Sequence, residues 1–318
     1  MTAHTHPASP ARIRAAGELR LLTWPALEAS GADAAVTARD GGVSSGRYAT
    51  LNLSLSVGDD PANVLENRRR LAAAVDADLA DFVFARQVHG AGVRIVGSAD
   101  RGSGAFTLDD AVPDIDALVT TSPDVVLAIL TADCVPIVLH DPVAGVLACV
   151  HAGWRGTVAR VCAAAVAAMT SLGSDPSDII AGLGPAADPA RYQVGPDVHH
   201  AVTQAFAPAG TGPAAGTGAA ETLLHPDPAA PGRWLLDLWS ANRHVLLEAG
   251  LQDSRIHTTD LPTGPLLPAT PVTSASPTGP TTPGYFFSDR AVRPCGRLAL
   301  VTRLRPPGQP PKTGTLQW

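Results

Sequence analysis

The chain has 318 residues and a formal net charge of −6, and no run of Lys or Arg forms the basic stripe that binding to nucleic acid or an anionic membrane needs. An apolar content of 45% with 16% charged residues suits a globular protein, and no apolar run of about 18 residues marks a membrane span. Residues 1–17, MTAHTHPASPARIRAAG, lack the apolar stretch of a secretory signal, and Cys134, Cys149, Cys162 and Cys295 show no CxxC spacing, so a soluble, cytoplasmic protein with reduced thiols is expected.

In chain order, residues 1–18 read as a disordered polar tail, with order beginning at Leu19. Residues 37–60, TARDGGVSSGRYATLNLSLSVGDD, read as short strands broken by glycines. A helix follows, because Asp60 suits an N-cap, Pro61 suits the first helical position, and Val64, Leu65, Leu71 and Val75 recur at helical spacing. DFVFARQVHGAGVRIV (81–96) predicts a hairpin turning at His89 and Gly90. DVVLAIL, VPIVLH and VLACV predict three strands apolar enough to be covered on both faces.

GTVARVCAAAVAAMTSLG (156–173) predicts one helix with Val158, Val161, Cys162, Val166 and Met169 on a common face and Gly173 as its stop. DIIAGLGP, RWLLDL and RLALVTRL are further strands, and DVHHAVTQAF and WSANRHVLLEAG further helices. Strands and helices mix without the regular beat of a doubly wound sheet, which predicts α+β layers in one main domain over 19–304. Two stretches rich in Ala, Gly, Pro and Thr, 207–232 and 262–284, are expected to be mobile loops, and 305–318 a loose tail.

Taking DPVA (141–144) as the loop between VPIVLH and VLACV sets His140 opposite Gly145 and Cys134 opposite His151. Directly opposed Cβ atoms lie about 4.5–5.5 Å apart, close enough for a thiolate and an imidazole to share a metal ion, or for the imidazole to deprotonate the thiol. A slip of one residue would send one side chain to the other face. His89 ends a strand in the same way. Two His and one Cys at three strand ends match a catalytic zinc site with a fourth position left for water; the alternative is a satisfied histidine and an inert buried cysteine.

After His151, AGWRGTV places two glycines and Arg155 at the opening of a helix, where an anion would be favoured; alternatively the glycines only make the turn and Arg155 is solvated. GVSSG (42–46) fits the nucleophile-elbow pattern, but the residues after it read as strand, so a serine nucleophile is not expected. His4 and His6 lie in the tail, His199 and His200 fall on a helix surface, and Cys149 and Cys162 alternate into the core.

Six blocks, RQVHG, LTADCVPIVLHD, HAGWRGTV, GGVSSGRYATLNLSLSVGDDPANVLENRRRL, GLGPAADPARYQVG and FFSDRAVRPCGRLALVTRL, resemble the laccase-domain family over residues 19–304. Its members are also called polyphenol oxidases and zinc-dependent purine nucleoside phosphorylases. The resemblance implies a layered sheet-and-helix single domain of the laccase-domain, cysteine-hydrolase-like type, with zinc held by His89, Cys134 and His151. It implies phosphorolysis of adenosine, inosine, guanosine or methylthioadenosine to base and ribose 1-phosphate, accompanied by adenosine deamination. Cys134, His151 and Arg155 would be catalytic, Arg155 and Arg39 would position phosphate, and Asn52 and Gln87 would hold ribose or base.

Gln193 stands where relatives carry Glu, and Asp289 and Ala291 stand where they carry Tyr and Arg, so the far wall of the pocket should differ while the metal end matches. Three alternatives remain: a cysteine hydrolase or amidase acting on a peptidoglycan precursor through Cys134 and His151, a copper polyphenol oxidase, and a non-catalytic nucleoside-binding module. The partners expected are purine nucleoside and phosphate, with no nucleic acid and no membrane, for a monomer or small homo-oligomer.

Overall fold

The computed structural model describes residues 11–207, 219–259, 261–264 and 284–306. Its first strands are β1 (Arg12–Ala16), β2 (Leu19–Thr23), β3 (Ala32–Thr37), β4 (Phe82–Arg86), β5 (Val93–Ile95), β6 (Val112–Pro113) and β7 (Ala117–Thr120). There follow β8 (Val126–Thr131), β9 (Val135–Asp141), β10 (Val146–Ala152), β11 (Ile180–Leu183), β12 (Gln193–Val194), β13 (Leu224–Pro226), β14 (Trp234–Leu236), β15 (Ile256–Thr258) and β16 (Leu298–Leu304). The helices are α1 (Pro25–Ser30), α2 (Pro61–Ala74), α3 (Trp154–Val158), α4 (Val161–Ser171), α5 (Pro196–Ala205), α6 (Ala220–Leu223) and α7 (Leu238–Glu248).

Two large sheets form the frame, one ordered β1-β2-β3-β16-β8-β4-β6 and the other β15-β11-β9-β10-β7-β5, beside a small sheet β12-β14-β13. Alternation along each strand explains the layering. In β10, Leu147 and Cys149 join Leu127, Ile129, Leu298 and Leu300 in a core between the two sheets. Val146, Ala148 and Val150 face the other way, onto Cys162, Val166 and Met169 of α4 and Val245 of α7. Val126, Ala128 and Val301 meet Leu71 and Ala72 of α2 on the outer side of the first sheet. The result is helix, sheet, sheet and helix in four layers of mixed α+β structure. The apolar runs of β8, β9 and β10 are covered on both faces, as their composition predicts.

Several expectations are corrected. Order begins before Leu19, because Arg12–Ala16 pairs with β2 across Gly17. Residues 42–59 form no ladder; only a 3-10 turn at Gly46–Tyr48 is regular. Their polar groups are instead taken up by Asn67 of α2, which accepts from the Val43 N–H and donates to Ser44 Oγ, Thr50 O and Asn52 O. DFVFARQVHGAGVRIV is no hairpin, since β4 pairs in parallel with β8 and β5 in parallel with β7 of the other sheet. The helix expected at 156–173 is broken by Arg160 (φ 64°) into α3 and α4. Within the expected loop 207–232, residues 220–226 form α6 and β13. In the second expected loop, Pro262 bridges to Ala186, whereas 265–283, like 208–218, 1–10 and 307–318, lies outside the described residues. Among the described residues no helix is long and apolar enough to cross a membrane.

Candidate active site

The end of β10, the turn before β9 and the loop after β4 meet at one end of the two-sheet frame. The β9–β10 register sets His151 opposite Pro136 and Ala152 opposite Val135, with the turn at 142–145. This differs by two residues from the predicted pairing of His151 with Cys134. A two-residue slip preserves the face a side chain occupies, so the two side chains still converge, along a diagonal rather than head-on. Asp133 (φ 84°) bends the chain into β9, and His89 turns it beyond β4 at φ 60°. The ligand atoms of His89, Cys134 and His151 all lie within 4.8 Å of one another, and the two imidazole rings meet edge-on at 4.8 Å between centroids.

Asp116, fully buried at the head of β7, organises this meeting. Its carboxylate accepts from the backbone N–H groups of Val88 (3.3 Å), His89 (3.0 Å) and Gly90 (2.6 Å), and it lies 2.8 Å from His151 Nδ1. Its own carbonyl accepts the His151 N–H. These three backbone bonds hold the His89 turn where a hairpin ladder had been expected. Sequence reading missed Asp116, whose one signal is an acid directly ahead of the buried run ALVT. It also missed the part played by Gly153: a Cβ there would come 2.7 Å from Cys134 Sγ and 3.1 Å from His89 Cδ2, so only glycine leaves room for the cluster.

Burial raises the Asp116 pKa, but the bonds from His151, Gly90 and Val88 outweigh it and hold the carboxyl below its usual range. Burial likewise pushes the Cys134 thiol up, yet the charges and hydrogen bonds of His151 and His89 bring it down to about 6. For His151, burial pushes down, while the Cys134 thiolate and the Asp116 bond push up, to about 9. With Nδ1 engaged by Asp116, His151 presents Nε2 to the cluster. A thiolate, two imidazoles, a carboxylate behind one imidazole and a glycine-shaped cradle together fit a tetrahedral, borderline-soft metal ion with one position open.

From the triad opens a cavity of about 960 Å³ whose wall includes Gln87, Tyr192, Trp154, Arg155 and, on the far side, Asp289, Arg290, Arg293 and Arg297. The Arg155 guanidinium lies 4.3 Å from the Trp154 ring centroid and makes no hydrogen bond or ion pair among the described residues. Because α3 has only five residues, a helix dipole adds little here, and the positive charge that HAGWRGTV brings to the wall is that of Arg155. Gln87 lines the cavity, but Nε2 donates to Leu130 O and Oε1 accepts Leu130 N–H, both at 2.7 Å.

Two expected substrate residues are placed elsewhere. Arg39 donates Nε and Nη2 to Ala49 O and stacks over Phe287, away from the cavity wall. Asn52 is fully buried behind the wall, donating to Asp59 and accepting from the Arg297 N–H. Of the three departures, Asp289 alone reaches the wall, where it accepts from Arg293 Nε (2.7 Å) and Arg297 Nη2 (3.1 Å). Gln193 instead donates to Asp227 (2.7 Å). Asp133 ties the two walls together by accepting from the Thr263 hydroxyl and from the Arg290 N–H (2.7 Å). His199, on α5, stacks on Trp234 with ring centroids 4.0 Å apart.

The profile of the multi-copper polyphenol oxidoreductase laccase family matches residues 33–305. A relative from Geobacillus stearothermophilus, named purine nucleoside phosphorylase YlmD, is 39% identical over 232 residues, which is 73% of this chain and 80% of the relative. A purine nucleoside phosphorylase of Deinococcus radiodurans is 44% identical over 219 residues, 69% of this chain and 76% of its own. Among solved structures, YlmD from Geobacillus stearothermophilus superposes with a TM-score of 0.78 at 34% identity, covering 93% of this chain and all of its own. The hypothetical protein YfiH of Bacillus licheniformis follows with a TM-score of 0.77 at 30% identity and the same coverage. With the profile spanning the second large sheet, the first from β3 onward, and all three residues of the triad, the chain belongs to the multi-copper polyphenol oxidoreductase laccase family.

Proposed function

We propose that the protein is a zinc-dependent purine nucleoside phosphorylase. It would convert adenosine, inosine, guanosine or methylthioadenosine and phosphate to free base and ribose 1-phosphate, deaminate adenosine as an accompanying activity, and act in the cytoplasm. The observation that carries this reading is a cavity of about 960 Å³, roomy enough for a nucleoside and phosphate together, joining the His89, Cys134 and His151 cluster to the Arg155 guanidinium, which makes no hydrogen bond among the described residues. The names of the Geobacillus and Deinococcus relatives support the reaction class.

His89, Cys134 and His151 would hold the zinc, which when bound supplies Lewis-acid charge at that end of the cavity. Arg155 can fork onto phosphate through two N–H groups and keep it beside the ribose carbon, with Trp154 and Tyr192 lining the same cavity. The test is a discontinuous assay of adenosine and inosine with and without phosphate, alongside metal content by mass spectrometry. Base released only with phosphate by zinc-loaded protein supports the reading, inosine appearing from adenosine supports the deaminase activity, and nucleoside bound but never turned over would leave a binding module.

A second reading, a cysteine hydrolase, is favoured by one arrangement: Cys134 Sγ lies within 4.8 Å of a ring nitrogen of His151, whose Nδ1 is held by Asp116 at 2.8 Å, and the neighbouring imidazoles lower the thiol. In that case chelation leaves activity intact and alkylation of Cys134 abolishes it. A multi-copper centre needs further clustered ligands, and among the described residues His89, Cys134 and His151 are the one such group.

A further inference from the structure

Most polar groups on the cavity wall are engaged by the protein itself. Gln87 is held by Leu130, the Thr131 hydroxyl by the Cys134 carbonyl, Asp133 by Thr263 and Arg290, and Asp289 by Arg293 and Arg297. Besides Arg155, Tyr192 keeps a donor in reserve: it lines the cavity, and its hydroxyl makes no hydrogen bond among the described residues. Its backbone is held firmly, the N–H donating to Asp188 O (2.8 Å) and the carbonyl accepting from Leu236 N–H (3.1 Å). The ring packs against the core to which α4 and α7 contribute, with the Arg290 guanidinium 5.1 Å from its centroid. It shares the cavity lining with Cys134 of the triad and with Arg155. A phenol without a hydrogen-bond partner among the described residues, on a wall whose other polar groups are mostly engaged, is suited to a ligand acceptor.

We propose that Tyr192 is a catalytic residue that donates its hydroxyl hydrogen bond to N7 of the departing purine, the imidazole nitrogen that shares the negative charge as the C1′–N9 bond breaks. The inference rests on the phosphorylase reading above. In the reaction a phosphate oxygen forms the new bond to C1′ while the C1′–N9 electron pair passes to the purine. The proton of monohydrogen phosphate then goes to the purine, leaving neutral base and dianionic ribose 1-phosphate. Tyr192 keeps its own proton throughout, so its contribution is the stabilisation of developing charge by a fixed donor.

The test compares guanosine with 7-methylguanosine, whose ring already carries a positive charge and has no acceptor at N7. For Tyr192→Phe with wild-type zinc content and circular dichroism, kcat on guanosine should fall about 100-fold with little change in KM, whereas 7-methylguanosine should lose no more than about threefold. Equal losses on both substrates, or no loss on either, overturn the proposal. Should that variant not fold, 3-fluorotyrosine at 192 keeps the ring and strengthens the donor. Guanosine turnover should then shift and 7-methylguanosine turnover should not, and identical behaviour of the two overturns the proposal. Wild-type protein that releases no base with phosphate removes the phosphorylase reading itself and this inference with it, a result distinct from an active wild type whose variant is unchanged.

Discussion

His151 Nδ1 lies 2.8 Å from Asp116 Oδ1, and the same oxygen accepts the backbone N–H of His89 at 3.0 Å. One carboxylate thus orients one histidine through its ring and places the other through its main chain. Asp116→Asn keeps the volume but sets an amide N–H₂ among donors, so zinc affinity should fall about 10- to 100-fold. Competition against a chromophoric chelator measures this, and an unchanged affinity would show that Asp116 does not organise the site.

Gly153→Ala should be damaging out of proportion to its size. The added methyl would sit 2.7 Å from Cys134 Sγ and 3.1 Å from His89 Cδ2, and neither atom ends a long flexible chain. The ligands must move apart, so bound zinc should drop well below one per chain while far-ultraviolet circular dichroism stays as in wild type. Full metal occupancy would refute this account of the glycine.

Reactivity of the metal-free protein gives a pH test. The Cys134 thiol is lowered to about 6, and the thiolate is the nucleophile, so alkylation should rise as pH increases through about 6 and be level well before the range of an ordinary thiol. Burial raises the Cys149, Cys162 and Cys295 thiols, the last to about 11, so these should stay unlabelled near neutral pH. Zinc should suppress labelling of Cys134. Labelling of Cys134 that rises only near pH 9 would contradict the close imidazole pair.

Arg155→Gln removes a guanidinium that makes no hydrogen bond or ion pair among the described residues, and leaves the Asp116 network intact. A lost charge-assisted bond is worth about 1.5–3 kcal/mol, which predicts roughly a 10- to 100-fold rise in KM for phosphate with nucleoside binding little altered. Steady-state kinetics at varied phosphate decides, and an unchanged phosphate KM would move the anion site elsewhere on the wall.

Stability should depend on Asn67 far more than its polar character suggests. Asn67→Ala strands the Val43 N–H and the Asn52 carbonyl, while Thr50 O keeps the Ser44 N–H, and it is expected to cost about 2–3 kcal/mol. Urea unfolding measures the loss; less than about 1 kcal/mol would mean that water replaces those bonds.

Signals with a local cause were legible along the chain. Asp60 does cap α2, accepting from the Ala62 N–H at 2.9 Å, and the apolar runs of β8, β9 and β10 do lie between two covered faces. Residue chemistry and face parity brought out His89, Cys134 and His151 as a group. The β9–β10 register was misjudged by two residues, and the error was harmless to the site because a side chain's face repeats every two residues along a strand.

Tertiary structure decided what depends on partners distant in the chain. The sequence around His89 reads as a hairpin until Asp116, 27 residues away, takes its N–H groups and sends β4 and β5 into different sheets. The family resemblance marks Arg39 and Asn52 as substrate residues, but that Ala49, Asp59 and Arg297 engage them shows only in the folded chain. Periodicity and capping follow from backbone geometry within a few residues and can be read along the chain. Which buried donor meets which acceptor depends on how the two sheets stack, and that was settled only when the whole core closed.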